Sequence, residues 1–476
     1  MVSSFSASFA AWSERTARRR GAARLAAVSL ASGLVVAGAI VTAAPAAADE
    51  TVQSSGGATA TMGGLKTYGT AVLRTDGEEH QVPAGLFEMF VDGGGTLQTY
   101  CVDVQNPTQK DAKYQETPWS GTSLGANKNA GKIRWILQNS YPQVNDLAAL
   151  AGKAGAKGLT EQDAATGTQV AIWRYSDGSD VTAQDPQAEK LADYLEKSAR
   201  NLAEPTASLT LDPPAVSGRA GERLGPVTLR TNADGATVTP PSDVTADGVQ
   251  VVDANGEPVT SAGDGAELYF EVPEDMADGS AELTVQASTT VPVGRAFASE
   301  TRSQTQILAG SSESTVSATA TAHWAEKGAI PALSAEKNCA EGGLDITAAN
   351  QGDKAFTFEL MGITYSIEAG ETRTVTIPLQ EDQAYDFTIK GPNGFTKQFK
   401  GVLDCRTETE ASAGGDSVQT LSEPSPATVG GNAAADSGTD LAETGSSGAT
   451  PVIGGIAIGL VVIGGAVMIL LRKRNP

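Results

Sequence analysis

The hydrophobic rhythm of the chain changes several times, and each change predicts a different kind of element. Residues 86–91 and 96–104 are apolar or alternating runs on either side of Asp92-Gly93-Gly94-Gly95, which predicts a β-hairpin. On its second strand Leu97, Thr99, Cys101 and Asp103 share one face, and Gln98, Tyr100, Val102 and Val104 share the other. The period then lengthens. Ile133, Ile136, Leu137 and Ser140 recur at helical spacing ahead of Tyr141-Pro142. Thr160-Glu161-Gln162-Asp163 opens a second helix as a capping box, with Asp at the usual Glu or Gln position, and this helix runs through Tyr175 to Ser176-Asp177-Gly178. A third begins at Asp185-Pro186 and carries the stripe Ala188, Leu191, Leu195 and Leu202.

Beyond residue 205 the period returns to two. Short runs at 226–230, 249–253, 267–272 and 281–287 are separated by turn signals such as Asn255-Gly256. Further on, Val375, Ile377 and Leu379, then Tyr385, Phe387 and Ile389, alternate with polar or proline positions around Gly391-Pro392-Asn393-Gly394. The expected architecture is mainly β and multidomain. An α+β domain over 57–204 is followed by two immunoglobulin-like β-sandwich domains, 205–325 and 326–405. Residues 406–440, rich in Ser, Gly, Ala, Thr and Glu, read as a flexible linker.

Both ends carry targeting patterns. Arg15, Arg18, Arg19, Arg20 and Arg24 precede an apolar run over 25–41 and the small residues Ala46-Ala47-Ala48, so residues 1–48 read as an export signal. Residues 452–471 are uncharged and long enough to span a bilayer as one transmembrane helix, and Arg472-Lys473-Arg474 follows. The formal net charge is −22, and the part between these basic ends is more acidic still. Such a surface disfavours nucleic acid and anionic lipid and is compatible with basic or amine-bearing partners.

Export makes the three cysteines informative. Cys339 and Cys405 bracket one compact stretch and are expected to form a disulfide, which leaves Cys101 as the odd thiol. Gln169 is odd in another way: with Ala165, Ile172 and Trp173 at helical spacing, its amide lies on an apolar stripe. A buried amide is either hydrogen-bonded or chemically altered. Rival chemistries find little support. A cysteine hydrolase needs a histidine base, and the chain has only His80 and His323, neither in a nucleophile motif. No clustered Cys and His ligands suggest a metal, no glycine-rich loop precedes a helix to cradle phosphate, and no cofactor is expected.

A thiol and a carboxamide can condense to a thioester with loss of ammonia, which would account for both oddities. Tyr100-Cys101 on a strand, Thr168-Gln169-Val170-Ala171 with Ile172-Trp173 on a later helix, and Asn139-Ser140-Tyr141-Pro142 between them resemble the TQxA-type thioester domains of Gram-positive surface adhesins. The resemblance covers most of residues 57–204. It implies a Cys101–Gln169 crosslink supported by Tyr100, Thr168, Ala171 and Trp173, and covalent capture of an amine-bearing target such as a lysine side chain. The protein would act once rather than turn over as an enzyme.

Leu441-Ala442-Glu443-Thr444-Gly445, the apolar span and the basic tail together resemble a sortase sorting signal of the LAxTG variant. This implies cleavage after Thr444 and attachment to peptidoglycan, so that the protein spans the membrane only as a precursor and ends at the cell wall. The alternative is a wall-anchored binding or structural stalk with Cys101 and Gln169 unlinked. Stalk domains of such proteins often carry Lys–Asn crosslinks, which residues 205–325 cannot form because they contain no lysine.

Overall fold

The computed structural model describes residues 56–241 and 248–406. The export signal, the linker after Arg406, the sorting motif and the apolar C-terminal span lie outside the described residues. Among the described residues no helix is long and apolar enough to cross a membrane. The described chain is mainly β with four α-helices, and it divides into two compact units.

The unit that holds Cys101 is built on a closed antiparallel sheet. Its chain begins with β1 (Thr59–Thr75), β2 (Glu78–Val91), β3 (Thr96–Cys101) and β4 (Lys113–Thr117). The expected hairpin is present: β2 and β3 pair from Phe87↔Thr99 to Phe90↔Thr96 across a turn whose Gly93, Gly94 and Gly95 all have positive φ. That backbone conformation is open to glycine at little cost, which explains the glycine run. β1 pairs along most of its length with β2, and at its start with β4. β5 (Val181–Ala183) adds to its other end.

Two strands that complete this sheet come from much later in the chain. Gln306–Ser311 pairs with β3, Ala296–Ser299 pairs with β4, and the two pair with each other. The ladder therefore closes on itself, β1–β2–β3 through the returning strands to β4 and back to β1. Closure removes the edges that β3 and β4 would otherwise expose. The expected boundary at residue 205 is corrected accordingly: residues 58–207 and 289–315 form one unit. Residues 296–311 show no period-2 alternation, with Ala296–Ser299 buried throughout, and nothing in them marks which sheet they join, so the sequence reading assigned them to the following domain.

A buried ion pair fixes the returning segment. Arg295 Nε donates to Glu116 Oε1 at 2.8 Å, and its Nη1 donates to Glu204 Oε1 at 2.6 Å. Glu116 also accepts from the Ala58 N–H at 3.1 Å, and Glu204 from the Trp119 N–H at 2.9 Å. Each carboxylate is thus satisfied by more than the guanidinium, the condition under which a buried pair is tolerated.

The helices are α1 (Ala130–Gln138), α2 (Leu147–Ala154), α3 (Glu161–Ser176) and α4 (Pro186–Ser198). α1 buries Ile133, Ile136 and Leu137 as expected. α4 starts at the Asp185 cap and buries Ala188, Leu191 and Leu195, but it ends at Ser198, and Leu202 lies beyond it with its N–H on the Gly131 carbonyl. α2 was not foreseen, although Asp146 caps its start and Gly155, in the left-handed conformation, ends it. α3 packs against β1, β2 and α4. Gly167 allows that close approach, because a Cβ there would lie 2.5 Å from the Ala188 carbonyl oxygen.

The second unit comprises the described residues of 208–288 and 316–403. It contains a four-stranded and a five-stranded sheet, with strands Gly279–Thr290 and Glu313–Trp324 adjacent in the latter. The returning segment is the excursion between those two strands. Residues 331–402 add a three-stranded sheet and two hairpins around Leu344, Ile346, Phe356, Ile367, Ile377 and Phe399. Cys339 and Cys405 are disulfide-bonded, and Cys101 is the free cysteine.

Candidate functional site

Cys101 is the last residue of β3, and Gln169 sits in the middle of α3. α3 is held at both ends. The Thr160 hydroxyl accepts from the Asp163 N–H, and the Asp163 carboxylate accepts from the Thr160 N–H, so the capping box is complete with Asp in place of the longer acid. At the other end Asn127 Nδ2 donates to the Tyr175 and Ser176 carbonyls, which lack partners within the helix. Arg174 ties the same end to α4 through Glu189, Asp193 and Glu196.

The two side chains meet. Gln169 Oε1 accepts from the Cys101 N–H at 3.1 Å and from the Cys101 thiol at 3.3 Å, while Gln169 Nε2 donates to the Cys101 carbonyl at 2.8 Å. Gln169 is 0% exposed and Cys101 3%. The carboxamide is therefore hydrogen-bonded in the core, and its partner is the one free thiol among the described cysteines. A main-chain N–H directed at the carboxamide oxygen polarises the carbonyl and is already in place for negative charge that develops there.

The remaining motif residues surround this pair. Tyr100 is fully buried and its hydroxyl donates to the Tyr141 carbonyl at 2.9 Å, which brings the Asn139-Ser140-Tyr141-Pro142 stretch to β3. The Thr168 hydroxyl donates to the Ala164 carbonyl one turn back at 2.7 Å, and Thr168 and Ala171 are both fully buried. Trp173, one turn after Gln169, is 3% exposed. His80 pairs with Leu73 at the far end of β2 from the β3 ladder and lies 3.9 Å from Glu78.

The surroundings disfavour a free thiolate. Burial pushes the Cys101 thiol far above its ordinary range; the Asp177 carboxylate raises it further, the Trp173 indole N–H lowers it, and Asp103 raises it. Asp177 follows α3 directly, and its Oδ2 accepts from the Val104 N–H at 3.3 Å, tying the helix end to the chain just past Cys101.

The returning segment supplies groups that sequence reading did not assign to the site. Gln306 stands opposite Cys101 in the ladder; its Oε1 accepts from the Thr99 hydroxyl at 3.0 Å and its Nε2 donates to Thr108 at 3.2 Å. The Thr305 carbonyl accepts from the Val102 N–H and Gln304 Oε1 from the Asp103 N–H, both at 3.2 Å. Ser303, Gln304, Thr305 and Gln306 are all buried. In sequence the run Ser303-Gln304-Thr305-Gln306 reads as an ordinary polar loop; its burial, with the partners such side chains require in a core, appears only in the assembled fold.

Comparison with known proteins agrees with this assignment. Residues 98–201 match the family described as "Thioester domain", and residues 329–402 match "Bacterial phospholipase C, C-terminal domain". The thioester-domain match begins within β3 and ends past α4, so the returning strands lie outside it. Among solved structures, the chain is similar to the Bacillus anthracis TIE protein at 16% identity, with 72% of this chain and 64% of that chain covered and a TM-score of 0.27. It is similar to the thioester domain of the Enterococcus faecium TIE86 protein at 15% identity, with 58% and 99% covered and a TM-score of 0.27. The thioester domain of the Staphylococcus aureus TIE protein is 11% identical, with 55% and 93% covered and a TM-score of 0.19. These superpositions are loose, and the assignment rests on the family match. No curated protein matches.

Proposed function

We propose, taking residues 98–201 as a thioester domain, that Cys101 and Gln169 condense and that the product captures an amine-bearing surface target covalently. The observation that carries this reading is the contact of the Cys101 thiol with Gln169 Oε1, with Gln169 Nε2 held on the Cys101 main-chain carbonyl, in a site with almost no solvent exposure. In the condensation the Cys101 sulfur attacks the Gln169 carboxamide carbon, the C–N bond breaks, and the thiol proton leaves with the amide nitrogen as ammonia. The held geometry supplies an effective concentration that two free groups in water lack. In capture, the target nitrogen attacks the same carbon, the C–S bond breaks, and the amine proton ends on sulfur. The products are a stable amide and a free Cys101 thiol, so each molecule acts once.

The rest of the chain fits a display role. The export signal, the linker and Leu441-Ala442-Glu443-Thr444-Gly445 support secretion followed by sortase-mediated attachment of Thr444 to peptidoglycan. The strand-rich residues 208–288 and 316–403, apart from the returning segment, would serve as immunoglobulin-like spacers between wall and target. The test is incorporation of a fluorescent primary amine into the exported chain, with the labelled peptide mapped. Label on Gln169, absent from Cys101→Ala, is the expected result. An unlabelled chain with an intact Gln169 amide would leave a non-covalent wall-bound stalk as the reading.

A further inference from the structure

Trp173 holds a polar group that the fold does not use. Its side chain is 3% exposed, and its indole Nε1 has no hydrogen-bond partner among the described residues. Buried N–H groups in this state are uncommon and call for a reason. Trp173 lies one turn after Gln169 on α3, the residue that contacts the Cys101 thiol, and its indole N–H favours negative charge on that sulfur. The thiol explains the unused N–H: its proton is directed at Gln169 Oε1, and a neutral thiol sulfur is a weak acceptor. A thiolate sulfur is a strong one.

We infer that the Trp173 indole N–H is the donor that stabilises negative charge on the Cys101 sulfur, both as it attacks Gln169 and as it departs when a target amine is acylated. This deepens the thioester reading and rests on it. The division of labour follows from the contacts. Charge on the carboxamide oxygen falls to the Cys101 main-chain N–H, which already points there at 3.1 Å. Charge on sulfur needs a second donor, because Asp177 after α3 and Asp103 after β3 both oppose it, and Tyr114 on β4 is a neutral phenol with its own hydroxyl committed to Ser303 and Gln304. Spacing on α3 makes the arrangement possible, since residues four apart lie on one face and Trp173 follows Gln169 by four. In the condensation the electron pair that forms the S–C bond comes from the sulfur that Trp173 addresses. In capture the pair from the broken C–S bond returns to it, and the proton released by the amine neutralises it.

The test uses the full exported chain with Trp173→Phe and, separately, with benzothienylalanine placed at position 173, which keeps the indole shape and replaces N–H by sulfur. Thioester formation after refolding is followed as ammonia loss by intact mass, and capture as the rate of methylamine uptake. Both rates are expected to fall about 10-fold to 100-fold, the scale of a hydrogen bond to a charged group, with an unchanged melting temperature for the isosteric variant. Rates equal to wild type in the isosteric variant would overturn the inference while leaving the thioester intact. A wild-type chain that neither loses ammonia nor takes up methylamine would overturn both.

Discussion

The unit containing Cys101 and the region around the disulfide solve the same problem of stability with opposite interiors. Residues 329–402 enclose an apolar cluster in which Asn350 is the buried polar side chain, with its amide spent on the backbone of Ile330, Lys354 and Ile367. The Cys101 unit instead buries Thr99, Asp103, Glu116, Gln169, Arg295 and Gln306. Apolar contacts hold shape without direction, whereas hydrogen bonds fix direction. The interior that must aim a thiol at a carboxamide is the one that keeps its polar groups. The region around Cys339 and Cys405 has no thiol to aim and is closed by burial and a disulfide.

The sharpest way to separate the two regions is Cys101→Ala. Amine capture should vanish completely, while thermal unfolding of residues 329–405 stays unchanged by calorimetry. Next in size come two matched changes. Arg295→Ala leaves buried Glu116 without its cation and should destabilise the Cys101 unit by about 3–5 kcal/mol. The double change Cys339→Ser with Cys405→Ser should remove about 4 kcal/mol from the disulfide-bearing region in the chain-entropy view, with capture rates untouched. Capture lost on breaking the disulfide would dissolve the comparison. A smaller effect is expected from Gln306→Leu, which strands the Thr99 and Thr108 hydroxyls and should cost about 1–3 kcal/mol in denaturant titration. Thr160→Ala removes the α3 cap for about 1 kcal/mol, read in the same way.

The thiol released by capture sharpens the contrast further. Burial and the adjacent Asp177 and Asp103 disfavour its thiolate, so its pKa lies above that of an ordinary cysteine. Alkylation of native, methylamine-treated protein should therefore begin only at strongly alkaline pH and return to the ordinary range on unfolding. Reaction of the native form at mildly alkaline pH would contradict that placement.

Much of the site was legible because local signals coincided. An unpaired cysteine in a chain with an export-like N-terminal pattern, a glutamine on an apolar helical stripe and a capping box one helix-length from Ser176-Asp177-Gly178 each point to a position without reference to the rest. The returning strands were not legible, because Ala296–Ser299 and Gln306–Ser311 are buried on both faces and so lack period-2 alternation, and no local pattern names a strand's neighbours. α2 escaped because eight residues give little periodicity, even with Asp146 and Gly155 as caps. Leu202 continued the α4 stripe in sequence although the helix stops at Ser198, a case of spacing that outlasts the element. Trp173 was visible as part of a motif, but its unused N–H appears only once the core is assembled.

The most direct test of the central claim is the intact mass of recombinant residues 49–440 under denaturing conditions, beside Cys101→Ala. Allowing for the two hydrogens lost to the disulfide, the wild type should be lighter than its sequence by one ammonia, and methylamine should add its own mass to that species. The control should show neither change. A wild-type mass equal to the sequence, with Cys101 alkylated once the chain is unfolded, would contradict the thioester.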